Sequence, residues 1–204
     1  MIPFARTMAA AVVFAGALTA QVIDFESGGL HYKTLTRNGI TVMYAHLPNQ
    51  VREYAIIQVA VSNGSGAPCL VKTEDFAFSR ADGRTVSPAK PRLVVNELIE
   101  KAGRSDVIKL VATYEISLYG ITRIMSTNGY EQRRQAAFAE LSSGKLKAAA
   151  AASAIAFVDA KLAPGQTTDG AIFYPNQGKP LGNGSLTVRA GGETFEFPAE
   201  HPAP

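Results

Sequence analysis

The chain has 204 residues, 47% of them hydrophobic and 18% charged, with a formal net charge of +3. So small an excess, carried by scattered basic residues, gives no electrostatic basis for nucleic-acid binding. Cys69 is the single cysteine, which excludes an intrachain disulfide, so stability must come from a buried core.

Arg6 precedes an apolar stretch from Met8 to Ala20 that ends in small residues, the pattern of a secretory signal peptide. The stretch is too short to span a bilayer. Cleavage is expected after Ala20, with Ala17 as the alternative, and no Cys follows that could anchor a lipoprotein. Residues 21–204 are long enough for one domain with a sizeable core and too short for two ordinary ones.

The β signal begins with Gly39 to Leu47 and Tyr54 to Ser62, both rich in Val, Ile and Tyr. In the second, Ile57, Val59 and Val61 alternate with Gln58, Ala60 and Ser62, as in a strand with one buried face. The turn cluster Asn63 to Pro68 leads into short strands at Cys69 to Lys72, Phe76 to Ser79 and, after Ala81-Asp82-Gly83, Arg84 to Val86. Cys69 reads as a small apolar residue buried at a strand start, the other reading being a reactive thiol.

The period then changes to that of helices. Pro91 precedes Leu93, Val94, Leu98 and Ala102 on one helical face, and Gly103 stops it. Ser105-Asp106 can cap a second segment, in which Val107, Val111, Tyr114, Leu118, Ile121 and Met125 recur at helical intervals. Its β-branched residues and Gly120 leave a strand open for part of it. Asn128 and Glu131 form a capping-box-like start to a third helix, with Ala137, Phe138 and Leu141 on its apolar side. The alanine-rich run from Ala148 to Val158 falls short of a transmembrane helix, so Lys145 to about Ala154 is expected as a fourth packed helix. Beyond Pro164-Gly165 the β pattern resumes at Ala171 to Tyr174, Ser185 to Arg189 and Thr194 to Phe197, the last two joined as a hairpin across Gly191-Gly192.

Two stretches carry a resemblance. Leu162-Ala163-Pro164-Gly165 with the following spacer and Gly170 to Phe173, and the earlier run from Tyr54 to Gly83 with its Glu74-Asp75-Phe76, resemble secreted bacterial immunoglobulin-like or telokin-like domains. The resemblance covers about half of the mature chain. It implies an immunoglobulin-like antiparallel β-sandwich; the helical block at about 91–155 departs from that simple sandwich and reads as an inserted helical subdomain, so the expected class is α+β, and the Pro-rich end at about 198–204 reads as a disordered tail. Such families are mostly binding or structural modules.

Recognised chemistry is sparse. His31, His46 and His201 stand apart without metal-ligand spacing, so no metal is expected. No nucleophile elbow, phosphate loop or dinucleotide fingerprint is present, and no cofactor is indicated. The Ser87 to Lys90 and Ser142 to Lys145 tetrads lack the partner motifs of penicillin-recognising enzymes. Glu74 and Asp75 are adjacent and fit polar edge or turn chemistry better than a hydrolytic pair. Asp82-Gly83 and Asp169-Gly170 read as turns. Asn63 and Asn183 head glycosylation sequons.

The most distinctive polar cluster is Tyr130 to Gln135. Its adjacent Arg133 and Arg134, with Tyr130, are the candidate binding residues, since paired guanidinium groups can grip carboxylates or phosphates; the other reading is a solvated helix face. The expected protein is therefore a non-enzymatic interaction or structural module, periplasmic or secreted, without a transmembrane span in its mature chain. Its expected partner is an envelope protein or polymer. The alternatives are a hydrolase of an envelope polymer, marked by two facing carboxylates or a Ser beside His46, and peripheral membrane association through residues 105–126.

Overall fold

The structure, a computed structural model, describes residues 21–106, 108–110 and 143–199. The expected signal peptide, the helix beginning at Asn128, most of the 105–126 stripe and residues 200–204 lie outside these.

The chain opens as an antiparallel meander of β1 (Ile23–Ser27), β2 (Leu30–Arg37), β3 (Ile40–His46) and β4 (Tyr54–Asn63). Its first two turns, Gly28-Gly29 and Asn38-Gly39, have positive φ at both central residues (59° and 77°, 45° and 78°). That is the backbone of a two-residue hairpin whose twist matches the strands. The alternation read from residue 39 onward therefore misses two strands, β1 and β2. Next come β5 (Cys69–Val71), β6 (Phe76–Arg80) and β7 (Thr85–Val86), then helices α1 (Pro91–Lys101) and α2 (Gly144–Ile155). The chain returns to strands at β8 (Ala160–Leu162), β9 (Thr167–Pro175), β10 (Gly184–Ala190) and β11 (Glu193–Phe197).

These strands form antiparallel sheets in the orders β1-β2-β3-β4-β9 and β11-β10-β6-β7, with β5 and β8 paired separately. The five-stranded sheet is covered on both faces. Ala55, Ile57, Val59 and Val61 of β4 share one core with Phe76, Phe78, Val188, Phe195 and Phe197 of the second sheet. Tyr54, Ile56 and Ala60 share another with Val94 and Leu98 of α1 and Ala148, Ala151 and Ala152 of α2. Gln58 is thus buried on the helical side, where the Tyr32 hydroxyl donates to its Oε1 at 2.9 Å. The one-sided alternation expected for β4 is two-sided burial.

Helix α1 starts with Pro91 at its first turn and buries Val94 and Leu98, followed by buried Ala102; Leu93, expected on the same face, is 59% exposed. The next helical residues begin at Arg104, one earlier than the expected Ser105-Asp106 cap. Asp106 instead reaches back, its Oδ2 accepting from the Gly103 amide at 2.7 Å, as a third-position carboxylate does in a capping box. Helix α2 runs one residue past the expected Ala154. After it, Ala156 bridges Ala171 and the Phe157 amide donates to the Ala171 carbonyl at 2.9 Å.

Asp169-Gly170 does not turn: both lie inside β9, opposite Ala60 and Val59. A side chain at Gly170 would stand 2.4 Å from the Phe157 Cα, so this glycine permits the close approach of the 156–157 segment. Glu74 and Asp75 lie in a 3-10 turn, Thr73–Asp75, where the Asp75 carboxylate accepts from the Lys72 amide at 3.1 Å. Asp82-Gly83 does turn, with Gly83 at φ 82° and Asp82 Oδ1 accepting from the Arg84 amide at 3.0 Å. Among the described residues no helix is long and apolar enough to cross a membrane.

Candidate functional site

The Asn38-Gly39 hairpin fixes a register in which Tyr32 faces Ala45 and Lys33 faces Tyr44. Side chains alternate along each strand, so His31 and Lys33 fall on the same face as Tyr44 and His46. There they line a cleft of about 830 Å³ with Leu47, Pro48, Gln50, Ala55 and Ile56 on one side and Pro180 to Gly184 on the other. Its position is the end of the two sheets, where β2, β3 and the start of β4 meet the segment entering β10.

The wall is held by aromatic contacts and by hydrogen bonds. His46 stands edge-on to Tyr44 and to Phe78 of the opposing sheet, each at 5.7 Å, and Tyr44 meets Phe197 at 5.0 Å. Below them Tyr174 is fully buried and donates to the Phe76 carbonyl at 3.2 Å, and burial pushes its phenol up. The opposite wall hangs on Asn176. Its amide nitrogen donates to the carbonyls of Lys179 at 2.9 Å and Pro180 at 2.5 Å, and its Oδ1 accepts from the Arg80 guanidinium. The Asn176 backbone amide adds a bond of 2.7 Å to the Glu53 carbonyl. Both walls of the cleft are thus tied to the sheets by side-chain and backbone contacts.

No Asp or Glu lines the cleft, and no Ser does. Asp24 and Glu26 of the neighbouring strand are the direct cross-strand partners of Lys33 and His31, on the same face, and Asp24 lines an adjoining groove with both. The features named for the hydrolase alternative, facing carboxylates or a Ser beside His46, are not among its lining residues. Among the described residues no three His, Cys, Asp or Glu side chains are grouped to hold a metal ion.

Tyr130, Arg133 and Arg134 lie outside the described residues, as does His201. Ser87 and Lys90 are exposed on the connection into α1, where Lys90 precedes the first helical residue. Cys69 is buried at the first position of β5, and burial pushes its thiol up, so it is poorly suited to nucleophilic work. Asn63 is fully buried: its amide donates to the carbonyls of Ala67 at 2.8 Å and Leu162 at 2.9 Å, and its oxygen accepts from the Ser65 amide and hydroxyl. In the folded protein it is a loop anchor closed to a glycan.

Reading the histidines as isolated misses the cleft, because His31 and His46 meet only through strand pairing. The signal for that pairing is Asn38-Gly39 between two alternating segments. Fold and cleft together define a mostly antiparallel β protein with a pocket lined by His31, Lys33, Tyr44 and His46. No family model, curated protein or solved structure matches the chain.

Proposed function

We propose that this chain is an exported, non-enzymatic interaction module: an immunoglobulin-like β-sandwich with a helical insertion at about 91–155 that engages an envelope protein or polymer. The observation that carries the reading is the cleft between His46 and Pro180, a concave site walled by fixed elements and therefore suited to docking without rearrangement. The signal-peptide pattern at 1–20 supports export, and the antiparallel sheets facing each other across a phenylalanine-rich core support the sandwich. Tyr130, Arg133 and Arg134 are proposed as a second contact on the strength of their adjacent guanidinium groups.

The test uses a photo-crosslinking residue placed at Gln50, which lines the cleft, or at Arg84, which is exposed on the β6–β7 turn. Each protein is irradiated in an envelope extract. The reading expects a discrete adduct from position 50 that position 84 does not give. The same adducts from both positions, or none from 50, would sink the cleft as the docking site. Adding Arg133→Ala with Arg134→Ala then reports whether the second contact contributes, through a fall in adduct yield.

A further inference from the structure

We infer that β2 guards the outer edge of β11 with the cations Arg37 and Lys33, and that this guard keeps β11 from pairing with β11 of a second copy of the chain. An edge strand presents unpaired N–H and C=O groups on which another strand can add, so each open edge needs a device against it. β9 is covered along its outer side by the amides of Ala89 and Phe157, which donate to the Phe173 and Ala171 carbonyls. β7 spans Thr85–Val86 alone, which is too short to template a strand. β1 carries Asp24 and Glu26, and pairing with a second β1 about Phe25 would set these acids opposite each other, like charge on like.

β11 lacks that opposition. The Gly191-Gly192 turn, with φ of 59° and 80°, makes Ala190 and Glu193 the closing hydrogen-bonded pair, so Phe195 and Phe197 also bond to β10. Thr194 and Glu196 therefore turn their backbone groups outward, and Pro198 its carbonyl. Two β11 strands pairing about Phe195 would set Thr194 opposite Glu196 of the second copy, with no like charges facing. What stands in the way is β2. Arg37 Nη1 donates to the Thr194 carbonyl at 2.6 Å, and the Lys33 ammonium donates to the Pro198 carbonyl at 3.4 Å, one at each end of the outward run. Asn38 adds a bond of 2.6 Å to the Glu193 carboxylate beside the first. Lys33, Leu35 and Arg37 alternate onto one face of β2, where Leu35 enters the core and the two cations reach the edge of β11. Both end carbonyls are thus occupied, and charged side chains lie where an incoming strand would have to sit.

Light scattering from the mature chain as it leaves a sizing column, at rising concentration, provides the test. Lys33→Met with Arg37→Met keeps the aliphatic stems and removes the donors. Its mass is expected to climb towards about twice that of the unchanged protein while near-ultraviolet circular dichroism stays native. Arg37→Met alone is expected to climb less, since Lys33 remains. Adding Glu196→Pro to the double variant removes an outward N–H that takes no part in the β10 ladder, and is expected to restore the unchanged mass. Association that survives Glu196→Pro would overturn the guard, because unfolding or another surface would then be its cause. A double variant that keeps the mass of the unchanged protein would overturn it as well. So would an unchanged protein whose mass falls when Glu196→Pro is introduced alone, since its β11 edge would already be paired.

Discussion

A side chain is missing at Gly170 because another backbone occupies its place. The Phe157 Cα would stand 2.4 Å from a Cβ there, closer than non-bonded carbons approach, and the Phe157 ring fixes that segment in the phenylalanine-rich core. Gly170→Ala must push the 156–157 segment off β9 and strain its bond to the Ala171 carbonyl. The expected cost is about 1–3 kcal/mol, the range for overpacking a tight interior. Gly66→Ala is the control, since nothing lies within 4 Å of a Cβ at that position. Urea unfolding of both variants checks the account: a lowered midpoint for Gly170→Ala alone supports it, and matched midpoints would remove the close approach as a constraint. Asn63 makes the same point with polar atoms, since an Asn-Gly-Ser that reads as a surface turn is in fact a buried hub.

At the scale of elements, α1 is tied to β4 by one polar contact beside its apolar face. The Tyr54 hydroxyl donates to Glu97 Oε2 at 2.7 Å, and Glu97 also lies 3.8 Å from Lys101, one turn along the helix. Burial, then the bond to Glu97 and the charge of that carboxylate, push the Tyr54 phenol up to about 12. The phenol is therefore harder to ionise folded than unfolded. Its contribution is complete below the ordinary value near 10 and is lost as pH rises from about 10 to about 12. Glu97→Gln removes the carboxylate charge and leaves burial, so its loss over the same window is expected to be smaller. Unfolding midpoints of the two proteins at intervals from about pH 9 to 12 measure this, and the other alkaline groups cancel in the comparison. Identical slopes would mean that the contact does not hold the helix. The same helix shows what was legible in the sequence. Pro91 at the start and Val94, Leu98 and Ala102 at helical spacing placed it correctly, because those features are local. Strands β5 to β7, β10 and β11 were legible for the same reason, through turn residues between short alternating runs. The β1–β2 hairpin and the cleft were not. Exposed Asp24, Phe25 and Glu26 give β1 no apolar stripe to read, and the meeting of His31 with His46 depends on register between strands.

Among the described residues a central sheet lies between unequal layers, and the inequality predicts how the protein opens. On one side β6, β10 and β11 contribute Phe76, Phe78, Leu186, Val188, Phe195 and Phe197, all fully buried. On the other, α2 contributes Ala148, Ala149, Ala151, Ala152 and Ala154, with Ile155 its one large buried side chain. Apolar stabilisation scales at roughly 25 cal/mol per Å² buried, so an alanine contributes a small fraction of what a phenylalanine does. Small side chains let α1 and α2 pack closely, yet they leave less area to lose when α2 separates from the sheet. β4 is different again: it is paired on both edges and covered on both faces, and its amides can exchange only when both layers are disrupted. Native-state hydrogen exchange under increasing denaturant should resolve two levels, with the α2 amides opening at a lower free energy than those of β4, β9 and β10. One shared opening free energy for α2 and β4 would show instead that the helical layer and the sandwich unfold as a single unit, and that alanine packing here is as firm as the aromatic core.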